Sequence, residues 1–96
     1  MGKLTVLSRS YCHLCDDLIA ALEEFRGRFS LAFAIDVIDI DQHEKLETLW
    51  GAKVPVLLHG EDEVCHYFFH EDAVSRVLSF DKTTAFIAAD ETNQLK

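Results

Sequence analysis

The sequence contains little proline, glycine or basic residue: one Pro, four Gly, and nine Lys and Arg against 17 Asp and Glu in 96 residues. So little Pro and Gly excludes a low-complexity linker, and the length suits one domain. A net charge of −8 repels phosphate backbones and anionic lipid, which argues against nucleic-acid and membrane partners. The apolar runs are too short for a signal peptide or a membrane span. We therefore expect a cytoplasmic monomer.

Cysteine is also scarce, and its placement is informative. The chain has three cysteines, and two of them, Cys12 and Cys15, lie three apart in the stretch SRSYCHLCDD. Cytosolic thiols are kept reduced, so those that pair there are usually catalytic or redox-sensing. This favours a reactive pair over a disulfide scaffold. The spacing alone is also compatible with half of a metal site or with two small core residues.

Hydrophobic periodicity predicts an α/β domain over residues 1–80, with elements in the order βαβαββα and a four-stranded mixed sheet flanked by helices. The predicted strands cover residues 3–8, 31–40, 54–58 and 63–69. The first helix begins at His13 and ends near Gly27, the second follows an N-cap at Asp41 with Glu44 three residues on, and the third covers about 71–80. Residues 81–96 form an extension that is either a short helix or partly disordered.

This order places Cys12 at the amino end of the first helix, where its chemistry can be argued directly. A cysteine there faces unpaired backbone N–H groups and the positive end of the helix dipole, which favour the thiolate. Cys15 lies one turn further on the same face, so it can attack a mixed disulfide formed by Cys12. Arg9 and a protonated His13 would stabilise the thiolate further, whereas the two Asp residues after Cys15 oppose it.

A C-x-x-C pair at the first strand-to-helix junction, the βαβαββα order, and Val54-Pro55 at the third strand together resemble the glutaredoxin branch of the thioredoxin fold. The string Tyr-Cys-His-Leu-Cys resembles a group of small bacterial glutaredoxin-like proteins. The resemblance implies a thiol–disulfide oxidoreductase without a bound cofactor, and glutathione as a possible co-substrate. Its partner would be a disulfide-containing protein or a glutathione mixed disulfide. The resemblance also implies a cis Val54–Pro55 bond whose backbone accepts a substrate strand.

The predicted binding residues surround this pair. Arg9 stands where many glutaredoxins carry a Lys that helps to hold glutathione. The other residues that we predict to contact substrate or glutathione are Tyr11, His13, Leu14, Val54, Pro55, Glu71 and Asp72. The chain departs from the family in lacking a Gly-Gly before its last helix, and without those glycines a backbone is less able to approach a glutathione carboxylate.

Two other functions compete with this one. A structural zinc site normally needs four ligands, and beyond the pair the chain offers Cys65, His66 and His70, which the element order places at a distance from the first helix, so we predict no metal. A catalytically degenerate glutaredoxin-like module could instead bind a partner or sense redox state. We interpret Cys65 as a packing residue and the aromatic run Tyr67-Phe68-Phe69 as core and sheet-face packing.

Overall fold

The computed structural model describes residues 2–78, which form four strands and three α-helices in the predicted βαβαββα order. The elements are β1 (Lys3–Ser8), α1 (His13–Arg28), β2 (Ala34–Asp39), α2 (Glu44–Trp50), β3 (Val56–His59), β4 (Asp62–His66) and α3 (Glu71–Val77). Short 3-10 helices at Ile40–Gln42 and Gly51–Lys53 flank α2. The predicted fold class is confirmed. The predicted extension and the end of the predicted last helix lie outside the described residues.

The four strands form one mixed sheet in the order β2-β1-β3-β4. Strand β1 runs parallel to β2 and antiparallel to β3, and β3 runs antiparallel to β4. In this register Ser8 pairs with Asp39, Leu7 with Val56, and Val56 with His66. The last residues of β1, β2 and β4 and the first residue of β3 therefore meet at one end of the sheet. We call it the cysteine end, because the chain leads from it through Ser8 to Cys12.

Alternation along the strands divides the core into two layers, since successive side chains of a strand point to opposite faces of the sheet. Leu4 and Val6 of β1 are fully buried with the apolar residues of α1 and α3, whereas Leu7 is buried on the side of α2. The first layer contains Leu4, Val6, Leu18, Leu22, Phe25, Phe33, Leu57, Val74 and Leu78. The second contains Leu7, Ile40, Val56 and Leu58, with Leu46 and Trp50 of α2 packed against them. Helices thus cover both faces of the sheet.

Two predicted strands were too long, and the hydrogen bonds and backbone conformation beside each strand explain why. Strand β2 begins at Ala34 instead of residue 31, because the backbone N–H of Leu31 bonds the Arg26 carbonyl at 2.9 Å and the Phe33 carbonyl accepts from the Arg26 guanidinium at 3.1 Å. These groups are therefore used at the end of α1 and not in the ladder.

Strand β4 ends at His66 instead of residue 69, because Tyr67 adopts a positive φ of 65° that turns the chain out of the sheet. The prediction that the whole aromatic run is packed was therefore wrong in part. Phe69 packs against the core, but Tyr67 and Phe68 are exposed.

The predicted start of the second helix was also wrong. Asp39, and not Asp41, supplies the capping carboxylate: it accepts the Asp41 backbone N–H at 3.0 Å and caps the 3-10 helix Ile40–Gln42. Helix α2 then begins at Glu44, and its N-cap is His43, whose side chain makes no capping bond. The Asp41 carboxylate is instead bound by Arg9 at 2.7 Å.

Strand β3 begins two residues later than predicted, at Val56, because Pro55 has no N–H to contribute to the ladder. Within residues 2–78, none of the helices is long and apolar enough to cross a membrane.

The first core layer generates a test of this packing. Phe25 is fully buried, and its ring meets those of Phe29 and Phe69 edge-on at centroid distances of 5.3 and 5.6 Å. Phe25→Ala should lower the free energy of unfolding by about 3 to 5 kcal/mol, because it removes a buried ring and leaves a cavity. Phe68→Ala is the matched control and should cost less than about 0.5 kcal/mol, since Phe68 is exposed. Equal losses in urea unfolding followed by circular dichroism would contradict the assigned core.

Candidate active site

The loop after β1 ends at Cys12, which is the N-cap of α1. Its backbone is extended, with φ −116° and ψ 107°, and its Sγ accepts the backbone N–H of Cys15 at 3.1 Å. The Cys12 carbonyl accepts the Asp16 N–H at 3.1 Å and so closes the first turn of the helix. A sulfur atom therefore takes the place at which the side-chain oxygen of Ser, Thr or Asp usually binds a free N–H group. The same N–H and the helix dipole favour a thiolate on Cys12 in the reduced protein.

Cys12 and Cys15 are joined by a disulfide bond, with their Cα atoms 5.2 Å apart. The two sulfur-bearing residues differ in accessibility: Cys12 is half-buried, whereas Cys15 is fully buried on the core face of α1. An incoming thiol or disulfide can therefore reach Cys12, while Cys15 is accessible only to Cys12. The predicted division of the pair into an attacking and a resolving cysteine is compatible with this geometry.

Arg9 holds the loop to α2. Its guanidinium donates to the Asp41 carboxylate at 2.7 Å, to the Glu47 carboxylate at 2.8 Å and to the Gly51 carbonyl at 3.3 Å. Arg9 was predicted to help hold glutathione. In the structure its guanidinium is paired with two carboxylates of the chain itself. Its position three residues before Cys12 makes these bonds a tether for the cysteine loop.

Val54 and Pro55 lie at the cysteine end of the sheet, directly before β3. The peptide bond between them is cis, Pro55 is fully buried and Val54 is half-buried. The Pro55 carbonyl accepts the Tyr67 N–H at 2.8 Å, and the Tyr67 hydroxyl donates to the Ala52 carbonyl at 2.7 Å. These bonds fasten the segment after β4 beside the segment before β3. The topology thus brings this segment to the end of the sheet from which the cysteine loop departs.

Tyr11, His13 and Leu14 flank the disulfide and face solvent. Tyr11 is fully exposed and adopts a positive φ of 57°, and Leu14 is 38% exposed although it begins the apolar periodicity of α1. His13 is exposed as well. The core face of α1 instead consists of Cys15, Leu18, Leu22 and Phe25. All three predicted contact residues are therefore accessible to a partner that approaches Cys12.

Glu71 and Asp72 begin α3, and the structure does not bring Glu71 toward the cysteines. Its carboxylate pairs with Arg28 at the opposite end of α1, about 24 Å from Cys12 at 1.5 Å per residue. Arg28 also pairs with Glu24 at 2.9 Å, and this pairing lowers the pKa of Glu24. Asp72 is exposed in the first turn of α3.

Cys65 lies in edge strand β4, opposite Leu57, and packs half-buried against the first core layer. Burial raises the pKa of the Cys65 thiol, which makes it a poor nucleophile at neutral pH. Within residues 2–78 there is no group of three or more His, Cys, Asp or Glu side chains that could hold a metal ion. Cys65 therefore acts in the core as a small apolar side chain.

A cluster of charged groups next to this strand was not predicted. Glu63 accepts from His66 at 2.5 Å and from Lys53 at 3.0 Å, and these two bonds lower the pKa of Glu63. Lys53, the residue directly before Val54, is thus paired with Glu63. The partners of Arg9 were missed too, although one signal pointed to them: Asp41 follows β2 as Arg9 follows β1, and adjacent parallel strands end side by side.

The chain is similar to known proteins. Residues 3–79 match the model of a family described as a glutaredoxin-like domain (DUF836). The chain is similar to the solution structure of protein Ne2328 from Nitrosomonas europaea, with 39% identity and a TM-score of 0.66 over 78% of this chain and 88% of that one. It is also similar to the X-ray structure of protein XcR50 from X. campestris, with 32% identity and a TM-score of 0.60 over 79% and 95%.

A more distant structure shows the fold alone. Thioredoxin 1 from Thermosipho africanus is 17% identical, with a TM-score of 0.52 over 80% of this chain and 94% of that one. No curated protein sequence matches the chain significantly. The predicted resemblance to glutaredoxins is confirmed by the family match and the first two structures.

The environments of the three cysteines predict the order in which they react. In the reduced protein, iodoacetamide should modify Cys12 first and Cys65 at least about tenfold more slowly, because Cys12 caps a helix whereas burial raises the pKa of Cys65. Cys15, fully buried, should also react slowly. Mass spectrometry of the alkylated peptides measures the order, and the same protein in guanidinium is the control in which the three rates converge. Alkylation of Cys65 as fast as Cys12 would contradict the site.

Proposed function

Because the chain belongs to the family of glutaredoxin-like domains, we propose that it is a thiol–disulfide oxidoreductase that works through Cys12 and Cys15. The observation that supports this most is the difference between the two sulfur positions. Cys12 is accessible and accepts a backbone N–H at the helix end, whereas Cys15 is buried one turn away within bonding reach of it. Two inert core cysteines would both be buried, and a structural disulfide has no need of an accessible sulfur at a helix N-cap.

In the proposed reaction the Cys12 thiolate attacks one sulfur of a substrate disulfide. A bond forms between Cys12 Sγ and that sulfur, the substrate S–S bond breaks, and the leaving thiolate takes a proton from solvent. Cys15 then loses its proton and attacks Cys12 Sγ, which releases the second substrate thiol and forms the Cys12–Cys15 disulfide. The substrate gains two electrons that the cysteine pair loses. A thiol co-substrate, of which glutathione is one candidate, must return them.

Other residues of the protein would hold the cysteine loop and the substrate in place for these steps. The ion pairs of Arg9 with Asp41 and Glu47 hold the loop that carries Cys12. The half-buried Val54 beside Pro55 offers backbone groups to an extended substrate strand at the same end of the sheet, as the family resemblance implies. We propose no metal and no bound cofactor in this reaction.

Substitution of each cysteine tests the proposed roles in a metal-free sample. Cys12→Ser should abolish reduction of a disulfide-bonded peptide, because a serine hydroxyl is protonated and does not exchange with sulfur. Cys15→Ser should instead accumulate a mixed disulfide between Cys12 and the peptide, since only the resolving step is lost. Acid-quenched single turnovers analysed by mass spectrometry separate the two results.

Cys65→Ser is the matched control, because Cys65 lies in the core away from the pair. It should leave the turnover rate nearly unchanged and cost at most a modest amount of stability. If Cys12→Ser and Cys65→Ser lost activity equally, or if all variants and the unmodified protein lacked activity, the oxidoreductase assignment would be wrong and a binding module would remain.

A further inference from the structure

Most of the exposed apolar side chains among residues 2–78 lie just after the strands that stop at the cysteine end of the sheet. Within residues 2–78 the large hydrophobic side chains that are exposed are Tyr11, Leu14, Val37, Leu49, Tyr67 and Phe68. Four of them, Tyr11, Leu14, Tyr67 and Phe68, follow β1 or β4 at the cysteine end of the sheet, and we call these four the apolar rim. Phe68 is 68% exposed and Tyr11 is fully exposed. A concentration of exposed aromatic side chains at one place marks an interaction site more often than scattered ones do.

The sheet register places both halves of the rim at the same end of the sheet. Tyr67 follows His66, which pairs with Val56, and its N–H bonds the Pro55 carbonyl at 2.8 Å. Strand β3 separates β4 from β1, and neighbouring strands lie about 4.8 Å apart, so the segment after β4 is about 10 Å across the sheet from the segment after β1. An extended peptide of a few residues that binds at Val54, between these two segments, is long enough to span this distance.

The cations of this region are already paired. Within residues 2–78, Arg9 binds two carboxylates, and Lys53, the residue before Val54, binds Glu63 at 3.0 Å. The carboxylates next to the disulfide in α1 are those of Asp16 and Asp17, which are exposed in the same turn as the imidazole of His13. Glutathione carries two carboxylates and one ammonium group, so its recognition requires cations that are free to pair with carboxylates. This surface opposes such a ligand and favours a basic one.

Building on the proposed oxidoreductase function, we propose that the substrate is a polypeptide disulfide whose cysteine is flanked by apolar and basic residues, and that glutathione disulfide is a poor substrate. The apolar flanking residues pack on the rim, chiefly on Phe68, and the basic ones face Asp16 and Asp17. The exchange is the one written above: the Cys12 thiolate displaces one polypeptide thiol, Cys15 displaces the other, and two electrons pass to the polypeptide.

The test uses the reduced full chain and three disulfides. These are the oxidised dimer of a hexapeptide with Leu and Lys on either side of its cysteine, oxidised glutathione, and hydroxyethyl disulfide as a small neutral reference. The peptide should be reduced about tenfold faster than oxidised glutathione under single-turnover conditions. Comparable rates, or a faster rate with glutathione, would overturn the proposal. Failure to reduce any of the three would instead refute the oxidoreductase function itself.

A matched pair of variants tests the rim. Phe68→Ala should lower the ratio of the peptide rate to the hydroxyethyl disulfide rate about fivefold, because it removes the main apolar contact. Leu49→Ala should leave that ratio unchanged, since Leu49 is 67% exposed but lines a cleft on the α2 face of the sheet, with Leu58 and Gly60. An unchanged ratio in Phe68→Ala, or equal losses in both variants, would overturn the rim as the docking surface.

A second pair of variants tests whether the ion pairs of Arg9 weaken the recognition of glutathione. The double variant Asp41→Asn with Glu47→Gln releases Arg9 and should raise the rate with oxidised glutathione about threefold or more. Glu61→Gln with Asp62→Asn removes the same charge at the opposite end of the sheet and should not. No gain in the first variant, or an equal gain in both, would overturn the role given to the ion pairs of Arg9.

Discussion

Cys12 is the N-cap of helix α1, and the hydrogen bond from the Cys15 N–H to its sulfur links the two cysteines of the pair. Because Cys12 Sγ accepts the Cys15 N–H, the first cysteine stays outside the helix in extended backbone and the second falls on the core face one turn later. Accessibility and burial of the two thiols then follow from helix geometry alone. Cys15 lies on the core face because it precedes Leu18 by three residues and Leu22 by seven, so the spacing within the helix buries the resolving position.

The N-cap Cys12 can serve a functional site only because the sheet holds the cysteine loop at the cysteine end. Strand β1 delivers the cysteine loop to the end of the sheet at which β2 and β4 stop and β3 begins. Arg9 ties this loop to the segment after β2, and the bond from Tyr67 to Pro55 ties the segment after β4 to the start of β3. Four segments that are distant in sequence therefore meet around Cys12. At this end of the sheet Tyr67 and Phe68 are exposed, and neither belongs to the core.

Local patterns were sufficient to predict β1, the start of α1 and the order of all seven elements, because apolar periodicity and turn residues act over a few positions. The same patterns predicted the cysteine pair at the amino end of α1, where it lies, and the family resemblance implied the cis bond before Pro55, which the structure has at the cysteine end. It was incomplete for Arg9, whose partners lie 32 and 38 residues away, and for Glu71, whose partner Arg28 is 43 residues away. Such pairings depend on tertiary packing. The exposure of Tyr67 likewise depends on the positive φ of its backbone, which no pattern in the sequence predicts.

The central claim is that Cys12 and Cys15 form a couple that passes between dithiol and disulfide during function. The reduction potential of the pair, measured by equilibration with glutathione buffers of defined ratio, tests this most directly. The account predicts a value between about −270 and −180 mV, the range from thioredoxin to protein disulfide isomerase, because the helix end and His13 stabilise the reduced thiolate while Asp16 and Asp17 oppose it. A value below about −300 mV is that of a structural disulfide, and it would contradict the account.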